Sequence, residues 1–261
     1  MDSIKAKKIS IGKNSFVSPK AVIRGINGDA ESIFIGDNTY IGDDVQIICD
    51  NFSIGDYSKL HHHSNVHGYK PCKIGHNAWI GQGTIIDSIA GTTIGDNCGI
   101  GAYSQLWSHI KYGDTLEGCR FLEEKSLNIG KDVWLVGHCI VSPITAGDKS
   151  MALVGSVVTR DMKPNEIYAG SPAKSISEKI GHQFNPITID EKMDKMLNYL
   201  NESGVDKDQI VIVENESQIL KDDRSYFAVE SRTYTKNLND AEIEFMKFLL
   251  PEKGKFSPIS N

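Results

Sequence analysis

Residues 54–106 read IGDYSKLHHHSNVHGYKPCKIGHNAWIGQGTIIDSIAGTTIGDNCGIGAYSQL, and an aliphatic side chain returns every six positions within them: Ile54, Leu60, Val66; Ile74, Ile80, Ile86; Ile94, Ile100, Leu106. Three hexapeptides make one set, and the extra residues gather after each third one. Working outward, the register continues through Ile35, Ile41 and Ile47 on one side and Ile129, Leu135 and Val141 on the other. A looser set starts at Ile11, Val17 and Ile23, and a last one runs through Leu153 to about Pro164. From Ile35 onward the sets step by 19, 20, 20 and 35 residues, and by 18 from Ile129 to Gly147, so the long step marks an insertion at residues 107–128.

A six-residue strand and turn cannot bury its own apolar side. Coils stacked ~4.8 Å apart pair their backbones and build a continuous core, so the period predicts a three-faced prism of stacked coils. The aliphatic residues point inward. A second inward column lies four residues after each and is small or β-branched: Thr39, Val45, Ser58, Ser64, Ala78, Thr84, Cys98, Ser104, Val133, Cys139, Thr145 and Val157. Gly follows the aliphatic residue at positions such as Gly36, Gly55, Gly75 and Gly101, where a tight bend at a prism edge is expected. The period is structural and carries no chemistry of its own.

Composition narrows the class. At 261 residues the chain has room for one or two domains with a sizeable core. It lacks a run of 18 apolar residues, and its first ten residues, MDSIKAKKIS, lack the apolar stretch of a signal peptide, so no membrane span and a cytoplasmic location are expected. Five cysteines without CxxC spacing argue against a disulfide scaffold or a cysteine zinc site. A net charge of −6 gives no global attraction to nucleic acid. Against that acidic background Arg160, Lys163, Lys174 and Lys179 cluster where the repeat ends, which suits a small anionic ligand. Beyond residue 177 the repeat gives way to a small α/β domain at 178–261. Capping-box spacings at Thr188–Glu191 and Asn239–Glu242 open helices, and strands are expected over 209–213 and 226–235.

Eight histidines compete for chemistry. His61, His62 and His63, with His67 and His76 nearby, invite a metal reading of the hydratase type. Consecutive strand residues point to opposite sides, however, so at most two of the three could share a ligand sphere. The GHxxxxH spacing of β-helical carbonic anhydrases would need histidine at 81 or 143, where Gly81 and Pro143 stand, so no metal site is expected. His109 differs, because it sits at the base of the insertion, beside Trp107 and ahead of Asp114 and Glu117. Functional loops are anchored on rigid scaffolds, and a neutral imidazole near a carboxylate can take a proton from an attacking hydroxyl or amine. Either Glu117 or Asp114 could orient it.

The stretches IGKDVWLVGHCIV (129–141) and VGSVVTRDMKPNEIYAGSPAKSI (154–176) resemble the Trp-containing coil and the terminus of the hexapeptide-repeat acyltransferases, in particular their galactoside, maltose and xenobiotic acetyltransferase branch. Residues 30–177 carry the likeness. It implies a left-handed parallel β-helix, a homotrimer, and acetyl-CoA as acyl donor lying between adjacent prisms. The family's catalytic histidine precedes a loop ahead of the Trp-containing coil, the place His109 occupies. By the same resemblance Gly137 and His138 would line the pantetheine arm, and Gly155 and Ser156 would offer it backbone amides. Arg160, Ser171, Pro172 and Lys174 would sit near the adenosine and its phosphates. Acetyl transfer to a hydroxyl of a sugar or glycan is the expected reaction, with acceptor contacts from Trp107, Tyr112 and Arg120 on the insertion. A β-helical scaffold subunit without transfer activity is the alternative from another class.

Overall fold

The computed structural model describes residues 4–259. Its contacts divide the chain into two compact units, the first ending at Phe184 and the second beginning at Asn185. This division falls later than residue 177. Ser177 and Phe184 both bond back to the prism, Ser177 Oγ accepting from the Ile167 N–H (2.7 Å) and the Phe184 N–H donating to Asn165 Oδ1 (2.8 Å).

In the first unit, parallel sheets of seven and seven strands make two faces, and a nine-stranded sheet, parallel except for its last pair, makes the second. The expected columns stack in register. Ile35, Ile54, Ile74, Ile94 and Ile129 are successive partners on the first face. Ile41, Leu60, Ile80, Ile100 and Leu135 follow on the second, and Ile47, Val66, Ile86, Leu106 and Val141 on the third. All fifteen are at most 3% exposed, so together they form the apolar axis of the unit.

Two expectations about the repeat need correction. Thr145 and Val157 do not belong to the small inward column. Only residues 142–145 separate Val141 from its successor Ala146, whereas 67–73 separate Val66 from Ile74, and Ala146, Ala152 and Val158 are what stack on Ile129, Leu135 and Val141. With side chains alternating along a strand, this one-residue change of register brings Ser150 and Ser156 inward. The glycines, moreover, are not there to bend the chain. A Cβ on Gly55 would lie 2.7 Å from the Gly75 carbonyl carbon, and one on Gly101 would lie 2.1 Å from Val136 O, so these residues let neighbouring coils approach. The bends fall to left-handed residues at the corners, such as Asn38, Asn77, Asn97 and Asp132, a conformation that Asn and Asp tolerate.

The second unit has helices Ile189–Ser203 and Asp240–Leu249 beside a four-stranded sheet of Ile210–Val213, Ser225–Ala228, Thr233–Tyr234 and Ser257–Pro258. Thr188 and Glu191 form the full reciprocal capping box. Asn239 accepts the Glu242 N–H, but the Glu242 carboxylate reaches past it to the N–H groups of Asn237 and Leu238. Instead of one strand over 226–235 there are two antiparallel strands, turned at Val229–Arg232. Phe227 lies at the centre, its ring 5.1 Å from Phe245, 5.3 Å from Phe256 and 5.5 Å from Tyr234.

Candidate active site

Every coil is irregular at its third corner, where the chain passes from the third face to the first face of the next coil. The insertion emerges there as an antiparallel arm: His109–Lys111 pairs with Leu122–Glu124, and His109 faces Glu124 across it. Lys111 Nζ and Glu124 Oε1 are 2.5 Å apart on that arm. Both ends are anchored, since Ser108 and Leu127 are fully buried. The tip is open to solvent, with Tyr112 fully exposed and Leu116 and Phe121 largely so.

His109 leaves this anchored base with its ring partly buried. Its Nδ1 lies 2.8 Å from Asp87 Oδ2, and Asp87 ends the third-face strand of the preceding coil, in register two residues before His109. Asp87 is buried, and the same oxygen accepts the Ser108 N–H (2.8 Å) and hydroxyl (2.6 Å). The two Ser108 donors on this oxygen offset the cost of burying the carboxylate. Asp87, rather than Glu117 or Asp114, is therefore the carboxylate that meets His109. Both of those lie exposed on the arm, where Asp114 Oδ1 accepts the Leu116 N–H at 2.8 Å. An imidazole held at Nδ1 by a buried carboxylate presents Nε2 as a base.

The three residues expected to meet the acceptor are not gathered in one place. Trp107 is beside the histidine, with ring centroids 6.3 Å apart. Tyr112 and Arg120 lie exposed towards the tip of the arm.

The donor-binding residues fall into three groups. Gly137, His138 and Gly155 share the second corner, where the Gly155 N–H donates to Gly137 O (3.0 Å) and the His138 ring stacks on Tyr103 at 5.3 Å. Neither Gly155 nor Ser156 has a free amide to offer, because the Ser156 N–H is taken by Leu153 O (3.2 Å), and the Ser156 side chain is fully buried. Arg160 lines a cavity of about 550 Å³ at the third corner, together with Lys125 of the arm, Pro143, Thr159 and Asp161. Lys174 lies on the second of the two terminal strands, Ile167–Gly170 and Ala173–Ser175, and Ser171 and Pro172 form the turn between them.

The remaining histidines pack or cap. His61 sits between Tyr40 (5.8 Å) and Trp79 (5.0 Å). Burial, and then the neighbouring His62 and Lys59, push its pKa down. His76 stands in a first-corner column with Asp37, Asp56, Asp96 and Asp148, each taking a backbone N–H from the coil before. His76 Nδ1 accepts that of Asp56 at 3.0 Å, and Asp96 Oδ1 that of His76 at 2.9 Å. Among the described residues no three His, Cys, Asp or Glu side chains are grouped to hold a metal ion.

Asp87 and Ser108 were missed by reading the repeat as one-dimensional. Their signal is a spacing: Asp87 precedes His109 by 22 residues, one coil plus two, which stacks them at one corner.

No family profile matches the chain. Over 53 residues it is 42% identical to galactoside O-acetyltransferase of Escherichia coli (strain K12), a stretch covering 20% of this chain and 26% of that protein. A putative serine acetyltransferase of Schizosaccharomyces pombe is 28% identical over 102 residues, 38% of this chain and 36% of that protein. The chain thus spans about a quarter to a third of the length of these relatives. Among solved structures it resembles the polySia specific acetyltransferase NeuO, with a TM-score of 0.52 and 18% identity over 77% of this chain and 100% of that one. That likeness concerns the fold, which is a left-handed parallel β-helix.

Proposed function

We propose that this chain, which belongs with the hexapeptide-repeat acyltransferases, transfers an acetyl group from acetyl-CoA to a hydroxyl of a sugar or glycan. The observation that carries the reading is the buried Asp87 carboxylate on His109 Nδ1, at the root of an arm thrown out of an otherwise regular prism. Galactoside O-acetyltransferase and NeuO, by their names, support the acceptor class.

In this reading His109 Nε2 takes the proton of the acceptor hydroxyl as its oxygen attacks the thioester carbonyl. Asp87 stabilises the imidazolium that results. The charge on the carbonyl oxygen of the tetrahedral intermediate needs donors other than the Gly155 and Ser156 N–H groups, which are bonded within the prism. Collapse breaks the C–S bond, Nε2–H returns its proton to the departing thiolate, and the products are the acetyl ester and free CoA. Trp107 gives the acceptor an aromatic wall beside the base, and Tyr112 and Arg120 extend along the arm as outlying contacts.

For the donor, Gly137, His138 and Gly155 form one wall, and Arg160, which lines the third-corner cavity, provides a cation for phosphate. Lys174 on the last strand, with Ser171 and Pro172 in the turn before it, would meet the adenosine and its phosphates. The donor groove lies between prisms of a homotrimer, and the cytoplasm, where acetyl-CoA is made available, is the place of the reaction. Exposed apolar side chains on the prism faces, Phe16, Phe34, Trp79, Trp134 and Ile140, support assembly.

The experiment is release of CoA thiol from acetyl-CoA in the presence of a panel of oligosaccharides and nucleotide sugars. Acceptor-dependent release that disappears in His109→Ala supports the reading. Absence of CoA binding would overturn it in favour of a scaffold subunit.

A further inference from the structure

We infer that Ser108 is a positioning residue: it holds Asp87 as an acceptor beneath His109 and thereby fixes the imidazole as the Nδ1–H tautomer, leaving Nε2 free to act as base. This rests on the acyl-transfer reading for its purpose but not for its evidence.

A serine hydroxyl has one proton to give. Ser108 Oγ receives the N–H of Ala90 at 3.0 Å, so a lone pair is committed there and its proton points to Asp87 Oδ2 at 2.6 Å. The Ser108 N–H converges on the same oxygen at 2.8 Å. Oδ2 thus accepts two bonds from a single residue before His109 contributes anything. An oxygen so occupied carries no proton, whatever the state of Oδ1, so the third group on it must also donate. That group is His109 Nδ1, at 2.8 Å.

Ser108 is fully buried, which keeps it out of reach of any substrate. Its carbonyl accepts the N–H of Lys125 from the return strand at 3.3 Å. One residue therefore ties together the preceding coil, the carboxylate and both strands of the arm that carries the base. Without the hydroxyl, Ala90 loses its acceptor and Oδ2 keeps only one fixed donor, so the carboxylate is free to rotate. The ring is then held by nothing that specifies which nitrogen bears the proton.

The test is long-range proton–nitrogen correlation NMR on protein labelled with ¹⁵N-histidine, with no substrate present. Recorded at a pH where the ring is neutral, wild-type His109 should carry its proton at Nδ1. In Ser108→Ala the Nε2–H form should appear, with kcat about tenfold lower, the loss of one hydrogen bond to a charged group. KM for acetyl-CoA and for the acceptor should not move, and Ser108→Thr, which keeps both donors, should restore the wild-type pattern. A wild-type His109 protonated at Nε2 would overturn the inference without any variant, as would an unmoved pattern in folded Ser108→Ala. If the tautomer shifts as expected while wild-type protein transfers no acyl group, the inference stands and the acyl-transfer reading fails.

Discussion

Whether a histidine packs or takes part in chemistry depends here on what touches its ring. His61 lies between two aromatic rings, His76 accepts a backbone N–H with Asp56 Oδ2 no nearer than 3.5 Å, and His138 stacks on Tyr103, whereas His109 meets at 2.8 Å a buried carboxylate oxygen that already holds two other donors. Replacing His109 with Ala should lower kcat ~10²- to 10⁴-fold, the usual worth of a positioned base, with little change in CoA affinity. Steady-state kinetics and isothermal titration check the two halves. His63→Ala and His138→Ala serve as controls, and a greater loss from either would move the base elsewhere. Asp87→Ala should cost less, ~10- to 100-fold in kcat, because the base remains but its imidazolium loses a charge-assisted partner. Far from this site, Asp222 offers a test of pH dependence. Hydrogen bonds from Arg224 outweigh the effect of burial and lower its pKa to about 2. A depressed carboxylate contributes stability that is present above its ordinary pKa and lost as pH falls through the folded value. Between roughly pH 4 and 2 the second unit should therefore lose stability, and Asp222→Asn should flatten that limb in denaturation followed by circular dichroism.

Among the elements, the arm and the coils have different duties. The coils stack inward columns that are almost fully buried, so Ile80→Ala, which leaves a cavity at 0% exposure, should destabilise the β-helix by ~2–5 kcal/mol in chemical denaturation. Trp79, its outward neighbour at 42% exposure, should cost far less when truncated. The arm contributes little core. Its paired strands fix His109, and its tip, residues 112–121, is solvent-exposed except for Cys119. Replacing that tip with a two-residue turn should leave the melting transition unchanged and reduce acceptor turnover. Loss of the cooperative melt would mean that the tip supports the fold.

At the scale of the molecule, a prism of flat parallel sheets presents apolar side chains that one copy leaves uncovered, Phe16, Phe34 and Trp134 among them. Three copies around an axis would bury such faces and create grooves between prisms, where the donor would lie in the proposed reading. Light scattering at micromolar concentration should report about three times the 28.8 kDa of one chain. A monomer there would overturn both the trimer and the groove. Binding of CoA to the wild-type protein, with no acceptor present, tests the donor site separately from the chemistry.

The six-residue period of Ile54–Leu106 determined the β-helix, its faces and nearly all of its axis, because each inward residue is set by local alternation and repeats in every coil. The capping box at Thr188 and the prominence of His109 were equally local, one a fixed offset and the other a break in the period. What sequence alone did not contain was the contact between coils. Whether Ala146 or Thr145 faces inward depends on which residue of the preceding coil it stacks upon. The partner of His109 depends on Asp87 lying one coil below, 22 residues away along the chain but 2.8 Å away in space. Asp114 and Glu117 are nearer in sequence and point into solvent on the arm. Tertiary structure decided the site because a hydrogen bond needs two atoms within about 3 Å, and in a stacked fold that proximity is set by the register between coils rather than by order along the chain.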